Sequence, residues 1–471
     1  MPANSWPDNN SYDELENLNS LLADLTEEEE SEVEVLQPLT LPSRFKNRRR
    51  RAAIVLTIVW SGTVALHLVS WGTLFVLGLT TVLGFHAVVM VFASPRRKTE
   101  EMHGEYPYVS LLVAAKNEEA VIGNLVKNLC NLEYPSQKYE VWIVDDDSTD
   151  RTPQLLAELQ EKYDNLKIFR RKPKSTGGKS GALNQVLPLT KGEIVAVFDA
   201  DAKVSQDTLL RVVPLFQEDR VGAVQMRKAI SNASTNYWTK AQSGEMTVDA
   251  VLQQQRINVG GIGELRGNGQ FVRREALLSC GGWNEETITD DLDLTLRLHL
   301  DNWDIELAFY PAVEEEGVTT AVGLWHQRNR WAEGGYQRYL DYWDLILKNR
   351  MGTRKTWDLL LLLIIQYILA IAGVPDLIMS LVRHRLPILS PLTGLSISLS
   401  MLWMFSGLKQ LRQEKPSNFF TYASMLLQAI TGTIYMTHWF IVISFASIRM
   451  SVLPKRLKWV KTVHTGHTHE S

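Results

Sequence analysis

Apolar residues along the 471-residue chain fall into two kinds of run, and each predicts a different element. Two long runs, 52–69 and 71–91, are each close to the ~20 residues a helix needs to cross a bilayer. Arg48 to Arg51 lead into them, and Pro95, Arg96, Arg97 and Lys98 close them. Basic residues at both outer ends predict a helical hairpin over 44–98 with both ends in the cytoplasm. His67 and His86 are the only ionisable groups within its two apolar runs, which argues against a buried hairpin in a soluble core. Three further long runs, 357–381, 386–408 and 419–448, form an expected C-terminal membrane bundle over 357–448. Between the two sets, short apolar runs at 109–114, 141–144, 194–198 and 221–226 alternate with helical patterns at 120–132, 152–163 and 207–216. That alternation predicts βαβ units and a mainly parallel sheet, an α/β domain over 105–350 embedded between transmembrane helices. Its end, 322–347, spaces Trp325, Trp331, Tyr336, Tyr339, Tyr342 and Trp343 around arginines, the pattern of a helix lying in the membrane interface.

Charge complicates the membrane reading. A cytosolic domain followed by three crossings would leave Lys455, Arg456, Lys458 and Lys461 outside, against the positive-inside tendency. One of the three segments is therefore expected to be re-entrant or interfacial, with Pro375-Asp376, Pro387 and Pro391 as candidate breaks. The net charge of −4 also hides an asymmetry. Residues 1–40 hold eleven acids and no Lys or Arg, so the rest of the chain is basic. A tail of that composition without hydrophobic pattern (1–43) is expected to be disordered and dispensable for catalysis. The basic remainder suits an anionic membrane surface or anionic substrates, and no nucleic-acid partner is expected. Cys130 and Cys280 are the only cysteines, which leaves no disulfide framework or zinc site to argue. His464, His467 and His469 in the tail 449–471 read as an incidental cluster.

Four acidic or basic motifs follow one another through the middle of the chain: Asp145-Asp146-Asp147, Asp199-Ala200-Asp201, Asp290-Asp291 with Asp293, and Gln327-Arg328-Asn329-Arg330-Trp331. The first two each close an apolar strand, and the carboxyl ends of parallel strands are where an open α/β sheet binds its ligand. Two unpaired carboxylates after a buried strand would repel each other. A divalent cation relieves that repulsion and neutralises a departing diphosphate, so Asp199 and Asp201 are candidate ligands for Mg2+ or Mn2+. The turn containing Ala115 and Glu118 offers backbone amides and a carboxylate to a nucleobase and ribose. An ionised Asp in the 145–147 run can accept from uracil N3–H, while Ser148 to Asp150 cap the next helix. Gly177-Gly178-Lys179 is not a Walker A loop, because Pro173 stands where its first glycine is needed. It reads instead as a flexible loop closing over a nucleotide, with Lys179 near base or phosphate. Aspartates at the helix start 290–293 serve as caps and dipole partners. One of them entering the cleft from this separate segment would also reach an acceptor hydroxyl as general base. No covalent nucleophile stands out, which favours direct inversion.

As an ordered set these motifs resemble the membrane-bound, inverting branch of glycosyltransferase family 2, which has a GT-A fold and includes cellulose and hyaluronan synthases and ceramide glucosyltransferase. The resemblance covers about residues 105–345. It implies that Asp146, with Asp145 beside it, contacts uracil, that Asp199 touches ribose or phosphate, and that Asp201 ligates the metal. Asp291 would be the base of the Thr-x-Asp motif, with Asp290 replacing the family's Glu beside the donor sugar. Gln327, Arg330 and Trp331 would hold the diphosphate and line the acceptor channel, and Asn268, Gly269 and Gln270 would border donor sugar or acceptor. The acidic tail, the two spans before the domain and the short bundle after it resemble the cyanobacterial members that glucosylate membrane lipid. These imply UDP-glucose as donor, the sn-3 hydroxyl of 1,2-diacylglycerol as acceptor, and a cytosolic site on the plasma or thylakoid membrane. A processive β-glycan synthase and a ceramide-type glucosyltransferase are the alternatives; few spans after the domain leave little material for a polymer channel.

Overall fold

The computed structural model describes residues 47–93, 102, 104–412 and 418–453. The acidic tail and the histidines near the C-terminus lie outside them. Helices α1 (Arg48–Leu68) and α2 (Gly72–Val91) form the expected hairpin. The central domain then runs β1 (Val109–Ala115), α3 (Ile122–Cys130), β2 (Tyr139–Asp145), α4 (Thr152–Gln160), β3 (Leu166–Arg170), α5 (Gly178–Val186), β4 (Ile194–Phe198), α6 (Thr208–Val212), β5 (Val221–Ile230), α7 (Tyr237–Asn258), β6 (Gln270–Arg273), α8 (Arg274–Ser279), α9 (Asp290–Leu300), β7 (Asp304–Glu315) and α10 (Ala321–Leu347). After it come α11 (Thr353–Leu363) and α12 (Leu369–Val382), joined through a π-helical turn, then α13 (Ser390–Gln410), α14 (Phe419–Met436) and α15 (His438–Val452).

The seven strands form one mixed sheet in the order β3-β2-β1-β4-β6-β5-β7. β1 is parallel to β2 and β4, β2 to β3, and β5 to β7, whereas β6 runs antiparallel to both β4 and β5. β1, β2 and β4 are buried on both faces, which is why they read as unbroken apolar runs. Leu111, Val113 and Phe198 face Ile122, Leu125 and Leu156 on one side. Leu112, Val144 and Val197 face Leu183, Val186 and Leu294 on the other. Register does the rest: Ala115 pairs with Asp145, so the acidic loop after β2 emerges beside the turn after β1.

Among the described residues five helices, counting α11–α12 and α14–α15 as single units, are long and apolar enough to cross a membrane. Their outer faces expose Leu74 (70%), Phe85 (71%) and Phe92 (81%). In water such surface is unfavourable by ~25 cal/mol per Å2; against lipid tails it is not. Two expectations need correction. Pro375 lies inside a continuous α12 and Asp376 makes no break. Its carboxylate instead accepts from His67 Nε2 at 2.7 Å and from the amides of Ile388 and Leu389, pinning the α12–α13 turn to the end of α1. The interruption comes later, at Thr437 between α14 and α15. The aromatic helix α10 also differs from a simple interfacial helix. Trp325 and Trp343 are exposed, but Tyr336, Tyr339 and Tyr342 are buried among Leu296, Leu340, Met351 and Tyr367.

Candidate active site

Three strand ends and the start of one helix build the cleft. At its β1–β2 end, the amide of Asp146 donates to the Ala115 carbonyl at 2.8 Å, which locks the first two loops together. Asn117 and Ser148 tie them further: the Asn117 amide donates to Ser148 Oγ, and Asn117 Oδ1 accepts from the Thr149 amide. The Glu118 amide donates to Thr152 Oγ1, and Glu118 itself is buried. Asp145 is buried and accepts from the Ser148 amide at 3.0 Å, so it shapes the loop. Asp146 is the more open of the pair and meets Arg171 Nη1 at 2.5 Å, with Lys116 at 3.7 Å. Asp150 accepts from the amides of Thr152 and Glu119. It therefore caps α4, as read from sequence, and also holds the neighbouring turn.

Arg171 reaches from the end of β3 to the glycine loop, donating to the carbonyls of Thr176 and Gly178. Gly177 has φ 83°, and a Cβ there would stand 2.2 Å from Glu285 Oε2, so only glycine fits the bend. The bend delivers Lys179 to the centre of the cleft, where its ammonium meets Asp199 Oδ1 at 2.5 Å. Burial disfavours this ammonium, but Asp199 and Asp290 outweigh that and hold its pKa above the usual lysine value. The Asp199 amide donates to Asn268 Oδ1 at 3.2 Å, which brings the loop before β6 against the Asp-x-Asp turn. Asn268 is fully buried, and its Nδ2 has no protein partner.

Opposite stands the first turn of α9. Burial first, and then the charge of Asp290, push Asp291 up to about 6. Asp290 is raised as well, chiefly by burial, with Lys179 opposing the shift. Asp291 accepts from the Leu292 amide at 2.8 Å, and its other oxygen lies over Gly267. Asp293, one turn-position on, is a different group. It takes Arg297 Nε at 2.7 Å and both Asn284 Nδ2 and Tyr342 Oη at 2.9 Å, so its carboxylate is spent on structure. Helix α10 presses on this turn through Gly334, where a Cβ would stand 2.3 Å from Thr289 Oγ1. From α10, Arg330 feels both Asp199 and Asp291, although burial leaves its pKa below the ordinary arginine value. Gln327 and Trp331 are engaged by Arg328: Gln327 Oε1 accepts from its Nη1 at 2.7 Å, and the guanidinium lies 4.1 Å from the Trp331 ring centre.

The expected cation calls for an open donor set and not a closed cage. Among the described residues no three His, Cys, Asp or Glu side chains gather as a closed metal cage. Mg2+ and Mn2+ are usually held by one or two carboxylates plus substrate phosphates, which is the donor set of an Asp-x-Asp turn. Asp199 is engaged by Lys179, and Asp201 Oδ2 accepts from the Glu316 amide at 3.0 Å, which fixes the Asp201 side chain on the rim of the cleft.

Residues 107–334 match the model of the glycosyltransferase like family 2. A β-monoglucosyldiacylglycerol synthase from Nostoc sp. is 68% identical, the alignment covering 99% of each chain. The enzyme of that name from Synechocystis sp. is 51% identical over 100% of this chain and 99% of its own. The chain belongs to this branch of glycosyltransferase family 2. Its sheet is that of a GT-A enzyme: a mannosyltransferase from Pyrobaculum calidifontis, solved in complex with GDP-Man and Mn2+, superposes with a TM-score of 0.51 at 20% identity, covering 82% of this chain and 98% of the other. Against the GT-A frame, sequence reasoning overlooked three basic residues. Arg171 clamps Asp146 to the glycine loop. Arg266, bonded to Asp249 and Glu264, sits close enough to Asp291 to favour its ionised form. Arg328 organises Gln327 and Trp331 from within the motif. The run Arg170-Arg171-Lys172 at a strand end was the one local signal for the first; the others depend on partners far away in sequence.

Proposed function

We propose that the protein transfers glucose from UDP-glucose to the sn-3 hydroxyl of 1,2-diacylglycerol with inversion, giving β-monoglucosyldiacylglycerol and UDP. The observation that carries the chemistry is Asp291, a half-buried carboxylate raised to about 6, in a cleft it shares with Lys179, Asp199 and Arg330. A base near neutrality is what an alcohol acceptor needs. The full-length likeness to the synthases supports the choice of sugar and lipid. In this reading Asp146 and the Ala115–Glu118 turn hold uracil and ribose, and Asp290 borders the sugar. Asp201, with Asp199, would hold Mg2+ or Mn2+, which supplies charge neutralisation at the diphosphate. Lys179 and Arg330 add positive charge on the same side. The acceptor oxygen bonds to glucose C1 as the C1–O bond to UDP breaks, and the hydroxyl proton passes to Asp291. Purified protein in diacylglycerol-containing vesicles, given UDP-[14C]glucose, should yield a labelled lipid whose anomeric proton shows the β coupling. No labelled lipid from an otherwise folded preparation would refute the assignment.

We infer that the domain sits on the cytosolic face and that α14–α15 enters and leaves on that face. Gly432 of α14 packs on Met404, in the last third of α13, and not near its start. Helix α15 then returns along α10, with Phe445 against Trp325 and Arg449 paired to Glu333 at 3.0 Å. A re-entrant hairpin leaves Lys455 and Arg456 cytosolic, which removes the charge conflict. Cysteines introduced at Ser417 and Ser471 should both react with an impermeant thiol reagent only from the cytosolic side; labelling of Ser471→Cys from outside would exclude it.

A further inference from the structure

Glu245 lies on α7, a helix that contributes no side chain to the acids of the cleft. It is nonetheless buried, and three donors from three other helices converge on it. Arg328 Nη2 of α10 lies at 2.5 Å, Tyr435 Oη of α14 at 3.1 Å and Trp439 Nε1 of α15 at 2.8 Å. Arg328 is itself fully buried. A buried arginine without its carboxylate is strongly unfavourable, so Glu245 determines where this guanidinium can rest. The guanidinium in turn fixes two residues of the substrate motif, bonding Gln327 and lying against the Trp331 ring. Two positions along the same helix, Arg330 faces Asp199 and Asp291. A chain of contacts thus runs from the α14–α15 break, through Glu245 and Arg328, to the side chains around the reacting groups.

We propose that Glu245 is a positioning residue for glucosyl transfer: acting through Arg328, it holds Gln327 and Trp331 in register, and Tyr435 and Trp439 lock it from the membrane hairpin. The inference rests on the transfer reading above. Its consequence is selective, because Asp145, Asp146 and Asp201 sit on other elements and bond the Ser148 amide, Arg171 and the Glu316 amide. Loss of Glu245 should therefore lower turnover further than nucleotide binding, which keeps Asp146 and Asp201 while Gln327 and Trp331 are disturbed.

The test uses the full-length protein in diacylglycerol vesicles. Glu245→Gln keeps the size and one acceptor oxygen but removes the charge. It should lower kcat by about 10- to 100-fold, the cost typical of an angstrom-scale misplacement. UDP affinity by calorimetry should fall by clearly less than turnover, since Gln327 and Trp331 are only part of the nucleotide's surroundings. Arg328→Met should show the same pattern, and Glu245→Gln combined with Arg328→Met should be no worse than Arg328→Met alone, since the two act in series. The double variant leaves no buried unpaired charge, so it also reports if Glu245→Gln alone misfolds. Wild-type kcat in Glu245→Gln or in the double variant would overturn the proposal. So would equal losses of UDP affinity and turnover, or additive losses in the double variant. Wild-type protein that makes no glucolipid would instead strike at the transfer reading, which the same assay reports separately.

Discussion

The two sides of the cleft handle negative charge differently. On the β1–β4 side, Asp146 and Asp199 are each met by a base from the next loop, Arg171 and Lys179, only 25 and 20 residues away in sequence. On the α9–α10 side, Asp290 and Asp291 sit side by side with raised pKa values, and the strong ion pairs lie behind them. Glu264 gathers Arg256, Arg266 and Arg338, and Glu245 holds Arg328. Under the transfer reading proposed above, the first side would exchange one cation for another as a nucleotide diphosphate enters and leaves. The second side would brace one carboxylate so that it stays poorly solvated and basic, which is what proton transfer near neutrality requires. The same helix turn makes the distinction twice, since Asp293, two positions from Asp291, is saturated by Arg297, Asn284 and Tyr342.

Substitutions that separate the two sides test this division most directly. Asp291→Asn keeps shape and hydrogen bonding but removes the base, so kcat should fall by about 10²–10⁴-fold. A calorimetric UDP titration of that variant should match wild type. Asp293→Asn should do the reverse. Leaving Arg297 without its carboxylate lowers stability by about 3–5 kcal/mol, seen as a drop in melting temperature, while turnover per folded molecule persists. Turnover lost in Asp293→Asn but kept in Asp291→Asn would show that the base had been assigned to the wrong position. On the donor side, Asp201→Ala should weaken UDP binding in the presence of Mg2+ or Mn2+. A loss of at least ~10–100-fold is expected, the range for disturbing even outer partners of a metal. Exhaustive chelation should silence the wild-type protein. Full activity after chelation would remove the metal from the reading and leave Lys179 and Arg330 as the diphosphate's partners.

What was legible in the sequence follows the same division. The donor side could be read because its residues are local: apolar strands buried on both faces end in aspartates, and register places those ends together. β7 was overlooked although Asp304, Ile305, Glu306, Leu307 and Ala308 begin with the alternation of a half-buried strand, which would have revealed it. β6 is four residues long and gives too little pattern to recognise. α7 hid for a different reason. Its buried positions include Gln242, Glu245, Gln253 and Arg256, so polar residues fill the face on which a hydrophobic stripe would show. The braces of the acceptor side were illegible in principle. Glu264 and Arg338 are 74 residues apart, and Glu245 and Arg328 are 83 apart. Nothing local marks such pairs until the chain has folded. The α10 tyrosines misled similarly, because aromatic spacing around arginine fits an interfacial helix and an inward-packed one equally well.

The smallest expected effect probes the origin of the Asp291 basicity. Two causes raise it, burial first and the Asp290 charge second. Turnover needs the ionised form, so kcat/KM for the wild-type protein should rise through an inflexion near pH 6 and level off above it. Because the two carboxylates interact, that inflexion belongs to the pair. In Asp290→Asn the neighbouring charge is gone while burial remains. The inflexion should therefore move to lower pH without reaching the ordinary aspartate value of 3.8. Stability runs the opposite way with pH. A carboxyl that binds its proton more tightly when folded loses stabilisation as pH rises from 3.8 to about 6. Asp290→Asn should flatten that slope in urea titrations across the window. An inflexion that stays near pH 6 in Asp290→Asn would assign the shift to burial alone. One that moves to higher pH would mean that Asp290 had been donating to Asp291 as a protonated partner, and the acceptor side would then hold one charge where two carboxylates stand.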